Sequence, residues 1–279
     1  MKLGVIMFVT PYSIGIVQLA KLAERLGFES LFVPEHPAVP ANPATPFPQG
    51  GPIPRHYKET IDPFVGLSAA AAATAKLRLG TGICLVPQRN PIVTAKEIAT
   101  LDLVSGGRFE FGVGAGWLKE EVELFGGDFA HRWTQVKDHV QAMKACWGPD
   151  PSEHHGKYAN FGPIHLFPKP VQQPHPPILI AGESEKALGR VAAYGDGWIP
   201  CGRNFAPKDL EAGRKSIEAK WKANGRKGRF TVTIFAAPPN RQSNRDLSNA
   251  GADRILHMAP SEDEAKTKAL LEKWQAEAM

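Results

Sequence analysis

Apolar, mostly β-branched or long aliphatic residues fill positions 3–9, and a helical stripe of Ile14, Leu19, Ala20, Leu22, Ala23 and Leu26 follows, stopped by Gly27. Residues 30–33, Ser-Leu-Phe-Val, read as the next buried strand. Strand, helix and strand within about 35 residues make a βαβ unit with parallel strands. The same alternation predicts strands over 77–85, 108–113, 177–181, 197–200, 230–235 and 254–258. Helices are predicted over 64–75, 91–104, 118–125, 132–147, 183–194, 210–223 and 262–278, with a short one near Asp246. Asp62-Pro63 caps the first of these, with proline where its missing N–H does no harm, and Pro91 opens the second, which Ser105-Gly106-Gly107 stops.

Two stretches break the rhythm. Residues 37–60 are dense in proline and read either as a lid or binding loop or as a passive surface excursion. Residues 148–176 turn to Pro, His, Gly and aromatics, with 158–161 and 164–166 reading as a small hairpin inserted between barrel units. Eight strand–helix alternations predict an α/β fold, a (β/α)8 TIM barrel with an insertion near 148–176, as one domain over 1–279. The rival, a doubly wound sheet, places its glycine fingerprint after the first strand. Here the glycine loop follows the fourth strand.

Composition changes little. Hydrophobic residues are 43% and charged residues 22%, as in ordinary globular chains. No apolar run approaches the roughly 18 residues of a membrane span, and the N-terminal apolar run reads as a first strand rather than a signal peptide, so a cytoplasmic location is expected. Cys84, Cys146 and Cys201 lie far apart, which fits a reducing compartment without disulfides. The net charge of +5 is scattered, which argues for an anionic ligand and against a nucleic-acid surface.

In a barrel the strand C-termini converge, so their residues share one face. Those ends carry Glu35-His36, Gly82-Ile83-Cys84, Gly114-Ala115-Gly116-Trp117, Ala181-Gly182-Glu183-Ser184 and Cys201-Gly202-Arg203. The glycine loop at 112–117 reads as a cradle for cofactor or phosphate or as a tight turn. His36 is the acid/base candidate beside Glu35, with ordering of the proline-rich loop as the alternative. Ser184 and Gly182 suit an anion, although Ser184 also fits an ordinary N-cap. Arg132, at a helix start, reads as a phosphate or anionic-tail contact or as a surface charge. His154, His155, His165 and His175 lack carboxylate or thiolate companions, so no metal site is expected.

Leu101-Asp102-Leu103-Val104-Ser105-Gly106-Gly107-Arg108-Phe109, running into Gly112-Val113-Gly114-Ala115-Gly116-Trp117, resembles the signature of the bacterial luciferase-like flavin/deazaflavin oxidoreductase superfamily. Pro168-Lys169-Pro170-Val171-Gln172, Pro176-Pro177-Ile178 and Ile180-Ala181-Gly182 match it as well, as do Phe32-Val33-Pro34-Glu35-His36 and Gly195-Asp196-Gly197-Trp198. The Glu-His pair resembles the branch that uses the deazaflavin coenzyme F420. The resemblance implies hydride transfer between F420 and a small organic substrate at the barrel's C-terminal face. It also implies His36 beside the reactive ring and Gly82-Ile83, often a non-prolyl cis peptide in that family, as a shelf behind it. Gly114, Ala115, Gly116 and Trp117 would form a wall, and Ala181, Gly182, Glu183 and Ser184 the phosphate turn. A homodimer and a flavin or F420 reductase supplying reduced cofactor are implied partners. The alternatives are an FMN-dependent monooxygenase using dioxygen and, from another class, a barrel that binds cofactor without turnover. Trp117 stands where related sugar-phosphate dehydrogenases carry a glutamate proton donor, which points to a more apolar substrate.

Overall fold

A computed structural model describes residues 1–200 and 205–278. In chain order the elements are β1 (Lys2–Met7), α1 (Ile16–Arg25), β2 (Ser30–Val33), α2 (Arg55–Lys58), α3 (Pro63–Ala73), β3 (Arg78–Thr81), β4 (Cys84–Leu85), α4 (Pro91–Ser105), β5 (Phe109–Gly114), α5 (Lys119–Leu124) and α6 (Arg132–Trp147). There follow β6 (Ser152–His155), β7 (Asn160–Ile164), β8 (Ile178–Ala181), α7 (Glu185–Tyr194), β9 (Gly197–Ile199), α8 (Pro207–Ala223), β10 (Thr231–Ile234), α9 (Arg241–Asn249), β11 (Arg254–Ala259) and α10 (Glu264–Ala278).

The parallel order β3-β2-β1-β11-β10-β9-β8-β5 closes through β3–β5 pairing at Leu79↔Phe109 and Gly80↔Glu110. This is the closed eight-stranded barrel that the alternation predicts. The third strand position is split: β3 and β4 both pair with β5, and the Gly82–Ile83 peptide between them is cis. Two helix signals act as read: Asp62 accepts from the Val65 N–H at 2.9 Å, and Gly106 ends α4 in the left-handed region at φ 65°. Asn90, which the sequence reading did not single out, caps α4 by accepting from the Ile92 and Val93 N–H groups.

The insertion needs one correction. Its hairpin is β6 with β7, over Ser152–His155 and Asn160–Ile164, not 158–161 with 164–166. Asp138 on α6 sets this register: its carboxylate meets His154 at 2.8 Å and accepts from the N–H groups of Tyr158 and Ala159. Those two residues are thereby held in the turn. Cys201, Gly202 and Arg203 lie outside the described residues. Among the described residues no helix is long and apolar enough to cross a membrane.

At the N-terminal end of the strands sits a buried ion network. Arg254, 5% exposed, spans Glu29 and Glu110 with nitrogen–oxygen distances of 2.7–2.8 Å, and Arg78 adds a contact to Glu110 at 2.5 Å. Burial pushes the Glu110 carboxyl up, but the two guanidiniums outweigh it and hold the group at about 2. The starts of β3, β5 and β11 and the residue before β2 are tied together far from the opposite, C-terminal face.

Candidate active site

At the C-terminal face a cavity of about 470 Å³ lies open, lined among others by Glu35, His36, Gly82, Ile83, Gly114, Ala115, Gly116, Trp117, Ala181 and Gly182. Ten sequence-predicted residues from four strand ends thus meet in one place. Glu183, Ser184 and Arg132 do not line it.

The floor comes from the break between β3 and β4, where Ile83 is presented across β5. At Gly114 a Cβ would stand 1.9 Å from Ile83 Cδ1, so only glycine lets the Ile83 side chain lie against that strand. The wall continues through Gly116 to Trp117, whose ring packs edge-on to Phe47 at 5.6 Å and to His36 at 6.0 Å between centroids. Arg132 fastens this wall rather than facing the cavity: its Nε donates to the Gly116 carbonyl at 3.0 Å and its Nη1 to Phe129 at 2.8 Å.

The side chain of His36 is only 6% exposed. Its Nδ1 lies 2.8 Å from Oε2 of Glu121 on α5, and its ring also packs on Tyr57 at 5.0 Å. Nε2 has no protein partner among the described residues. Glu35, next to it in sequence, is turned to other work. One of its oxygens accepts from the Leu85 N–H at 2.7 Å and the other is ion-paired with Arg89, which also meets Asp62 and Glu97. Burial opposes charge on Arg89, yet the surrounding carboxylates raise its pKa above the ordinary value. Glu35 therefore braces β4 beneath the cavity.

The proline-rich segment forms one side of the cavity with Phe47, Pro48, Gln49, Pro54, His56 and Tyr57. Oε1 of Glu120 holds it down by accepting from the N–H groups of Ala44 and Thr45 at 2.8 and 3.0 Å. Sequence reading missed Glu121, Tyr57, Phe47 and His56. The only available signal was the Glu120-Glu121 pair at a helix start, which ordinary helix-dipole preference already explains.

Beside the cavity, Gly182 turns at φ 109° and leads to Ser184, which caps α7 by accepting from the Ala187 N–H at 3.2 Å. Arg190 on α7 stacks at 4.2 Å on the ring of Trp133, which lines the cavity. Burial, and then the charge of Arg132, hold its pKa below the ordinary value. Burial lowers that of Arg132 too. No carboxylate among the described residues pairs with either cation. A mobile anion would suit them. Among the described residues no group of three His, Cys, Asp or Glu side chains is placed to hold a metal.

The chain is 34% identical over 281 residues to an uncharacterised protein of Mycobacterium tuberculosis, covering 99% of this chain and 98% of that one. It is 31% identical over 222 residues to the FMNH(2)-dependent dimethylsulfone monooxygenase of Pseudomonas putida, covering 78% of this chain and 56% of the enzyme. In architecture it is similar to an F420-dependent secondary alcohol dehydrogenase solved with an F420–acetone adduct, at a TM-score of 0.73 and 18% identity, covering 98% of each chain. The model of the luciferase-like monooxygenase family matches residues 13–278, and the chain belongs to that family.

Proposed function

We propose that the protein transfers a hydride between coenzyme F420 and a small, largely apolar organic substrate. The observation that carries this reading is a histidine whose Nε2 has no protein partner among the described residues, on a cavity floored by Ile83 and walled by glycines and Trp117. The volume is within the roughly 300–1,000 Å³ of ordinary ligand sites. Ile83 would back the ring. Gly182, Glu183 and Ser184 would receive the phosphate, with Arg190 and Arg132 contributing positive charge nearby.

The cofactor, when bound, supplies two-electron chemistry that no side chain here offers. The protein positions the substrate between His36 and the ring and covers it with Phe47 and Tyr57, limiting water. His36 accepts or returns the proton that accompanies hydride transfer.

The second reading, an FMN-dependent monooxygenase with dioxygen and a partner reductase, draws support from the dimethylsulfone monooxygenase likeness and from Trp117 in place of an acid. A homodimer is also proposed, resting on Val93, Leu103 and Val104, each at least half exposed along α4. Sedimentation followed at the cofactor's visible absorbance reads both points. The expected result is F420 moving with a species of twice the chain's mass. FMN alone moving with the protein supports the second reading, and the mass of one chain removes the dimer.

A further inference from the structure

We infer that Glu121 is the positioning residue of His36, and that the two form a buried dyad in which Glu121 fixes which imidazole nitrogen handles the proton. This rests on the hydride-transfer reading only for its rate consequence.

The Glu121 side chain is 0% exposed, and His36 is its only partner among the described residues: Oε2 stands 2.8 Å from Nδ1, while Oε1 is buried with no hydrogen-bond partner. A carboxylate removed from water needs a donor. Nδ1–H is the one supplied, so Nδ1 carries the proton and Nε2 is left as the acceptor. Three ring contacts restrict rotation, with Tyr57, with Trp117 and through the hydrogen bond itself. In the oxidative direction bound F420 would supply the two-electron acceptor for the hydride of the substrate's C–H bond. The substrate's O–H proton passes to Nε2, and the imidazolium formed faces the Glu121 carboxylate. Reduction of a carbonyl reverses each movement.

Glu121→Gln keeps the shape but removes the charge and offers Nδ1 a donor or an acceptor. The expected loss in kcat is about 100-fold or more, by analogy with the carboxylate that holds a catalytic imidazole in its working tautomer. KM and F420 affinity should move by less than about threefold. Glu121→Asp should recover part of kcat. The readout independent of turnover is the ¹⁵N spectrum of cofactor-free protein, with the His36 signals assigned by their loss in His36→Asn. Wild-type protein should show Nδ1 protonated and Nε2 bare, and Glu121→Gln a mixture of tautomers. A wild-type ring protonated at Nε2 alone, or a folded Glu121→Gln protein with unchanged kcat, overturns the dyad. Failure of F420 to bind at all sinks the hydride-transfer reading and leaves the tautomer result standing, so the two are separable. If Glu121→Gln does not fold, the wild-type spectrum and Glu121→Asp still decide.

Discussion

His36→Ala is expected to lower turnover by about two to four orders of magnitude while leaving cofactor affinity within about twofold of wild type. The ring lines the cavity, yet its one strong contact is to Glu121, so its removal opens space without unseating the Ile83 shelf or the Gly182–Ser184 turn. What is lost is a cavity-lining imidazole hydrogen-bonded to the buried carboxylate of Glu121. His56 also lines the cavity, so the paired control is His56→Ala, for which a smaller loss in kcat is expected. Steady-state kinetics with a cofactor titration separate the two. Full turnover in a folded His36→Ala protein would remove the proton role and reduce His36 to a lid contact with Tyr57.

Arg254→Ala should cost about 3–5 kcal/mol of stability, because it strips the buried Glu110 and the partly buried Glu29 of the guanidinium that both share. Arg78 alone remains on Glu110. The contacts are forked on both carboxylates, so Arg254→Lys should rescue little. Protonating Glu110 breaks the network from the other side. Its folded pKa lies below the ordinary 4.5, so this contribution is complete above that pH and fades as pH falls towards about 2. Urea unfolding at neutral and acidic pH tests both points. Wild-type and Arg254→Ala midpoints that agree at neutral pH would show the network to be energetically idle.

The strand rhythm was legible because burial on both barrel faces forces near-continuous apolar runs, and the helix limits because Asp62, Pro91 and Gly106 act locally. What could not be read depends on distance along the chain. Glu121 meets His36 across 85 positions, and nothing at either end signals the pairing. The adjacent glutamate, Glu35, was the more visible partner and proved to brace Leu85 and Arg89. The hairpin in the insertion was misregistered because Ser152–His155 is polar throughout and Gly162 and Pro163 interrupt Asn160–Ile164, while Asp138, outside it, fixes the turn. The resemblance supplied the cis peptide at Gly82–Ile83, which no pattern of side chains announces.

The most direct test of hydride transfer is a turnover measurement without dioxygen. Protein, oxidised F420 and a panel of small secondary alcohols labelled with deuterium at the carbinol carbon are mixed anaerobically, and cofactor absorbance is followed with the mass of the reduced cofactor. The account predicts loss of the oxidised absorbance in step with carbonyl formation, with one deuterium carried to the cofactor. No reduction of F420 across the panel, together with turnover only when FMNH2 and dioxygen are both supplied, would contradict it.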